Sequence, residues 1–281
     1  MITDKFWRFL RHKQVSMNIC NYTSRFSRSA FRHLSEVFGY ELSFSELGMT
    51  DLFVLDLVRF SQQVAPFQVE VYKTSWPVEK PYGNDIDLFV QDTTGQYDWY
   101  ALQAKVMSHE GVFNDLKVKK PGTIEEQWHK LLLHEYLFGS QAFYLLYVGQ
   151  SKTNFPKTPP THSDCRGRAP IAEYGLTLVK ALDIMNTVTS TSPMPFSDVF
   201  PSLAEPLRSL FCCPRKAPNR ATKFSRKDIL PPVYKRVYAR SKGDDPYRGY
   251  NHPDNFRPEG FAPIRILIDL NPDVVDRENN S

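Results

Sequence analysis

The sequence has no long apolar run. Its longest uninterrupted stretch, Ala142 to Val148, falls far short of the roughly 20 residues that a membrane-crossing helix needs. Residues Met1 to Lys13 mix Asp, Lys, Arg and aromatic side chains without an apolar h-region, so no signal peptide is expected. Cysteine is scarce. The four present, Cys20, Cys165, Cys212 and Cys213, follow no framework spacing and two are adjacent, which argues for a reducing compartment and against structural disulfides. These absences predict a soluble, cytoplasmic chain with no membrane partner. His162-Ser163-Asp164-Cys165 offers half of a zinc site, but no second ligand pair has matching spacing, so the stretch reads as a loop. There is no internal repeat and no heptad run. No G-x-x-x-x-G-K-[ST] loop, G-x-S-x-G elbow or H-E-x-x-H helix occurs, which removes support from nucleotide hydrolysis, serine acyl transfer and zinc proteolysis. Excess charge is missing too: a formal net charge of +4 does not by itself announce a nucleic-acid partner.

What is there fits a globular protein, with 41% hydrophobic and 14% aromatic residues. A length of 281 residues suits one or two domains with a sizeable core. Charge is unevenly spread. Arg208 to Lys242 holds eleven Lys or Arg residues against the single acid Asp228. Such a block can track phosphates, and it can equally be a solvated linker.

Polar residues sit inside strands between Gly83 and Met107. With a side-chain period of two, Asp85, Asp87 and Phe89 share one face, while Ile86, Leu88 and Val90 share the other. Asp92 to Gln96 carries turn residues. In the following arm Gln103 and Lys105 fall together, opposite Leu102, Ala104 and Val106. Antiparallel pairing lets Asp85, Asp87, Gln103 and Lys105 converge on one side of a hairpin.

This Asp strand followed by Gln103-Ala104-Lys105 resembles the core motif of the PD-(D/E)XK nuclease superfamily. With Gln in the triplet after a G-x-D-I-D strand, it is most similar to the methylation-dependent restriction (Mrr-type) branch and to a bacterial family of unknown function with a "GADWEWW... VQAK" pattern. The resemblance spans about Asp51 to Cys213. It implies a restriction-endonuclease-like α/β core, a mixed central sheet flanked by helices in α-β-β-β-α-β order. The implied division is residues 1–43 as an N-terminal helical region, 44–213 as the core, and 214–281 as a basic, Pro-rich, irregular C-terminal extension. The implied activity is Mg²⁺- or Mn²⁺-dependent hydrolysis of phosphodiester bonds in nucleic acid, DNA ahead of RNA, with a role in defence against foreign DNA. A homodimer is compatible with this reading. The alternative is a nuclease-fold module that binds nucleic acid without cleaving it.

In the site so implied, Asp85 is the central metal ligand and Asp87 shares the ion or orients its water. The Ala104 carbonyl and the Gln103 amide oxygen complete the set, the amide being a neutral and weaker ligand than a carboxylate. Lys105 stabilises developing negative charge. The preceding helix in the superfamily often adds an acid. Asp51 is preferred for that role and Glu46 competes with it. A glutamine early in the helix after the hairpin, here Gln127, is a minor candidate.

Around this core the sequence predicts a helix over residues 1–39 with an Arg25, Arg28, Arg32 stripe, and a second helix N-capped by Thr50. Gln68 to Lys73 reads as the first strand. Thr123 to Phe138 reads as a helix opened by a T-x-x-E capping box, and Ala142 to Val148 as a buried strand parallel to the Lys105 strand. Tyr174 to Val179 and Ile264 to Ile268 read as strands, and Lys180 to Met185 and Leu203 to Cys213 as short helices.

Overall fold

A computed structural model describes residues 4–63, 68–74, 82–92, 94–114, 116, 126–151, 157–164, 166–188, 193–211, 222–229, 234–239 and 262–270, with backbone alone at 4–18, 74, 227 and 234–239. Among the described residues five α-helices are formed: α1 (Asp4–Gly39), α2 (Glu46–Gln63), α3 (Gln127–Phe138), α4 (Ala181–Thr187) and the single turn α5 (Arg226–Ile229). The strands are β1 (Gln68–Thr74), β2 (Ile86–Gln91), β3 (Tyr97–Val106), β4 (Val112–Phe113), β5 (Gln141–Tyr147), β6 (Ser163–Asp164), β7 (Gly167–Arg168), β8 (Leu176–Lys180), β9 (Met194–Pro195), β10 (Glu205–Pro206), β11 (Tyr234–Ala239) and β12 (Ile264–Asp269).

One mixed sheet runs in the order β10-β8-β5-β3-β2-β12-β1-β11, seven strands of five residues or more plus the two-residue β10 at an edge. The β3-α3-β5 crossover makes β3 and β5 parallel, as the long apolar run and intervening helix predict. β2 and β3 pair antiparallel from Ile86 opposite Leu102 to Gln91 opposite Tyr97. The reversal between them is held by Asp92, whose Oδ1 accepts from Thr94 N at 2.7 Å and Gln96 N at 3.1 Å.

The C-terminal strand enters the middle of this sheet. β12 lies parallel to β2 and antiparallel to β1, and all six of its residues are buried. It therefore separates β1 from the hairpin.

Helices cover both faces. The α2 side chains Met49, Phe53, Leu57 and Phe60 are buried in the main core with Ile86, Leu88 and Leu102. Across the sheet, His134 of α3 meets Trp99 edge to face with centroids 4.8 Å apart. α1 buries Phe26, Phe31, Leu34 and Phe38 as its spacing predicts. Arg25 and Arg32 of its basic stripe are exposed, whereas Arg28 bonds the buried carboxylate of Glu173.

Several predicted boundaries move. α2 begins at Glu46, not Thr50, because Ser45 Oγ accepts the Gly48 N–H at 3.0 Å and caps the helix. Thr50 lies one turn inside and bonds Tyr147 Oη at 3.0 Å. α3 begins at Gln127, with Glu126 at its N-cap making no side-chain cap bond; Thr123 lies outside the described residues. The helix expected from Leu203 is instead β10 followed by a 3₁₀ segment, Leu207–Leu210, where Pro206 cannot donate to a helical ladder. Against the expectation from spacing, Cys20 is disulfide-bonded; the other three cysteines lie outside the described residues.

Candidate catalytic cluster at the open end of β3

β2 starts one residue after Asp85, while β3 runs on from Gln103 to Val106 with no β2 partner on that edge. Asp85 fills the first vacant position. Its N–H donates to Leu102 O at 2.7 Å, and its Oδ2 accepts the Ala104 N–H at 2.8 Å. Gln103 Nε2 donates to the same oxygen and, at 3.3 Å, to Ala104 O. Gly83 makes the approach into β2 at φ 77°, which favours glycine. This brings the Asp85 lead-in beneath α3, where a Cβ at position 83 would lie 3.7 Å from Gln103 Oε1 and 3.6 Å from Gln127 O. Asp85, Gln103 and the Ala104 backbone thus meet as the alternation of the hairpin predicts, with the amide group of Gln103 turned NH₂-first toward Asp85.

Lys105 is buried in β3, its side chain only 7% exposed, and its Nζ lies 3.3 Å from Glu46 Oε1 at the head of α2. Asp51, the acid preferred from sequence, goes elsewhere. It is half exposed and pairs with Lys73 Nζ of β1 at 3.2 Å. The four-residue shift of the α2 start explains the exchange: Glu46 occupies the first turn and Asp51 the second, where it reaches β1, which β12 separates from β2. The acids still share a field. The buried Tyr147 phenol is held well above its ordinary pKa by burial, with further upward pushes from Asp85, Glu46 and Asp51 that oppose the hydrogen bond with Thr50.

Asp87 is drawn out of the predicted site. It is fully buried, and both of its oxygens are engaged. Oδ1 accepts from Asn84 Nδ2 and Trp99 Nε1, each at 2.9 Å. Oδ2 accepts from Ala262 N at 2.8 Å and Arg265 Nη2 at 3.2 Å. Arg265 stands directly opposite Asp87 in the β2–β12 register, and its guanidinium lies 4.9 Å from the Phe89 ring centroid. A carboxylate so saturated is structural, the anion of a buried ion pair. Strand alternation correctly gives Asp87 and Asp85 one face, but Arg265 arrives from 178 residues away.

Gln127 opens α3 beside the cluster, and its buried Oε1 has no hydrogen-bond partner. Tyr144, opposite Gln103 in the β3–β5 register, has a buried hydroxyl likewise without a partner. Burial, then the charges of Asp85 and Glu126, push its phenol well above the ordinary range. From sequence Glu126 reads only as part of the T-x-x-E capping box and Tyr144 only as one of two tyrosines in an apolar strand.

The basic block is largely consumed internally where it is described. Arg208 is 2% exposed and bonds Asp164 and Glu173. Lys223 pairs with Asp92 and Asp98, and Arg226 with Glu70 and Asp269. Lys235 and Arg236 belong to β11, paired with β1. The remaining cations of the block apart from Lys227 lie outside the described residues.

Chemically, the edge of β3 beyond β2 offers the Asp85 carboxylate beside the Ala104 backbone, and next along the strand the Lys105 ammonium with the Glu46 carboxylate. Among the described residues no three His, Cys, Asp or Glu side chains form a metal cage. Carboxylate and carbonyl oxygens are nevertheless the donors that Mg²⁺ takes while keeping several of its waters, so the residue types present match the ion that the resemblance implies. No helix among the described residues is long and apolar enough to cross a membrane.

No curated protein and no solved structure matches the chain. A family model does, over residues 19–275, which takes in α2, the hairpin, α3 and the inserted strand β12. The chain belongs to the family of unknown function DUF6615.

Proposed function

We propose that the protein is a divalent-metal-dependent nuclease with a restriction-endonuclease-like core, acting on nucleic acid, with DNA ahead of RNA. The observation that carries this reading is that Asp85 bonds Gln103 and Ala104 where β3 runs on past β2, while Lys105, next along the same strand, pairs with Glu46. Asp85 and Glu46, with the Ala104 carbonyl, would hold Mg²⁺ or Mn²⁺. When bound, the ion supplies an activated water and relieves charge at the scissile phosphate. Asp85 is oriented for this by two donors, the Ala104 N–H and the Gln103 amide. Lys105 exchanges its contact with Glu46 for the phosphate and stabilises the charge that develops there. Gln103 acts on Asp85 rather than as a primary ligand.

The test is incubation of purified protein with plasmid and Mg²⁺ or Mn²⁺. Wild type is expected to nick or degrade it, and Lys105→Met and Asp85→Asn, which keeps a side-chain oxygen for the Ala104 N–H, to lose at least 100-fold in rate, in the range of removing one transition-state donor, while still melting cooperatively. Asp87→Ala is expected instead to be destabilised by about 3–5 kcal/mol, since it strands the buried Arg265 charge. Undiminished cleavage by Lys105→Met would remove the assignment.

A second reading has its own observation. Gln103 replaces an acid and turns its NH₂ to Asp85, which leaves a sparse ligand set. Absence of metal binding by calorimetry together with salt-sensitive DNA binding would favour a non-cleaving nucleic-acid-binding module.

A further inference from the structure

Lys105 and Glu46 form one wall of a cleft of about 610 Å³ that continues under the connection between α1 and α2, a size typical of small-ligand sites. Its floor is apolar: Phe38, Met107 and Phe113 line it, each 1% exposed. Phe44 stands at the rim, 36% exposed, with its ring against the first turn of α2. Gly48 permits that approach, because a methyl group there would sit 3.0 Å from Phe44 Cε1. An aromatic ring supported by backbone on one side and partly exposed is a stacking platform. Ser108 also lines the cleft, and its Oγ is buried with no hydrogen-bond partner. Such a group is costly to leave unmade and is ready to be completed by a ligand.

Stacking surface and spare hydroxyl together match an unpaired nucleobase, which has a planar π-face and an edge of donors and acceptors. We infer that the cleft takes one unpaired base of the substrate, stacked on Phe44 with its edge at Ser108, while the adjoining phosphate reaches Lys105. The inference rests on the nuclease reading and narrows its substrate to a strand with an unstacked nucleotide, either single-stranded or flipped from a duplex. A base kept in its stack cannot enter.

The test uses a single-stranded oligonucleotide containing 2-aminopurine, with Ca²⁺ in place of Mg²⁺ so that binding is read apart from cleavage. Wild type is expected to quench the fluorescence saturably. Phe44→Ala is expected to lose the quench and to bind roughly ten- to a hundredfold more weakly, in keeping with the loss of one base–aromatic stack. Phe44→Trp should restore both, a rescue that a merely structural role for the ring does not require. Equal quenching and affinity in wild type and Phe44→Ala overturn the inference, as does tighter binding of a fully paired duplex than of the single strand. The two proposals fail separately. Quenching by a wild type that cleaves nothing removes the nuclease activity and leaves the base site standing, whereas cleavage with a Phe44-independent quench does the reverse.

Discussion

At the residue scale, two aspartates two positions apart have opposite fates, and the difference is in their partners. The Asp85 carboxylate accepts from Gln103 and Ala104 where β3 runs on past β2, whereas Asp87 is saturated by Asn84, Trp99, Ala262 and Arg265. The same logic governs Gln103. The resemblance implies an amide oxygen that faces the ion, an arrangement in which Gln103→Glu keeps its ligand oxygen. With the NH₂ instead donated to Asp85, Gln103→Glu sets a second carboxylate against the first. Without a divalent cation the like charges raise the pKa of the pair. Folded carboxylates raised above their unfolded values destabilise as pH rises, so the metal-free variant should melt below wild type at pH 8 and approach it near pH 4. A penalty of 1 kcal/mol corresponds to about 2–4 °C. Adding Mn²⁺ should reverse the order, because two carboxylates bind the ion better than one carboxylate and an amide. Thermal melts with and without Mn²⁺ check this. A variant that Mn²⁺ fails to stabilise more than wild type would show that Gln103 does not border the ion.

At the scale of the element, the β2–β3 hairpin depends on one turn carboxylate. Burial favours the protonated form of Asp92, but hydrogen bonds from Thr94 and the charge of Lys223 outweigh burial and hold its pKa below the ordinary value. A depressed folded pKa contributes stability above the unfolded pKa, near 3.9, that is lost as pH falls through the folded value. Asp92→Ala should therefore cost about 1–2 kcal/mol at pH 7, and urea melts of variant and wild type should converge below pH 3. A gap that persists in acid would assign the cost to something other than the charge. The hairpin is also where the sequence was most legible. Alternation put Asp85 and Gln103 on one side of the hairpin, where they bond, and the apolar run of β5 with its preceding helix predicted the parallel crossover. Positions fixed by local competition were less legible. Ser45 and Thr50 are both good N-caps, and the Ser45 bond to the Gly48 N–H together with the Thr50 bond to the distant Tyr147 decides which one lies inside the helix. That one-turn difference is what exchanges Asp51 for Glu46. The role of the basic block was hidden for a different reason: the acids that neutralise Arg208 and Arg226 are supplied by elements far away in sequence.

At the scale of the whole molecule, the sheet is closed by its last strand. Ile264 to Ile268 is readable as a strand from its apolar residues, but its position between β1 and β2 depends on pairings with residues 68–73 and 86–90 that no local pattern encodes. Once inserted, β12 buries Ile264, Ile266, Leu267 and Ile268 and supplies Arg265 to Asp87, two residues from Asp85. Four buried aliphatic side chains contribute about 1.5–3 kcal/mol each, a sum comparable to the 5–15 kcal/mol by which a typical protein is stable. The strand is therefore a condition for the hairpin, not an appendage to it. A chain ending at Phe261 would leave β1 and β2 as unpaired edges inside the sheet and Asp87 as a buried anion without its cation. It should show no cooperative melt and bind neither metal nor DNA, whereas a chain ending at Leu270 should melt within a few degrees of the full length. Circular dichroism melts of the two truncations decide the matter. A cooperative transition within about 5 °C of wild type in the chain ending at Phe261, where ~2–4 °C corresponds to 1 kcal/mol, would mean that the hairpin and its cluster are assembled without β12.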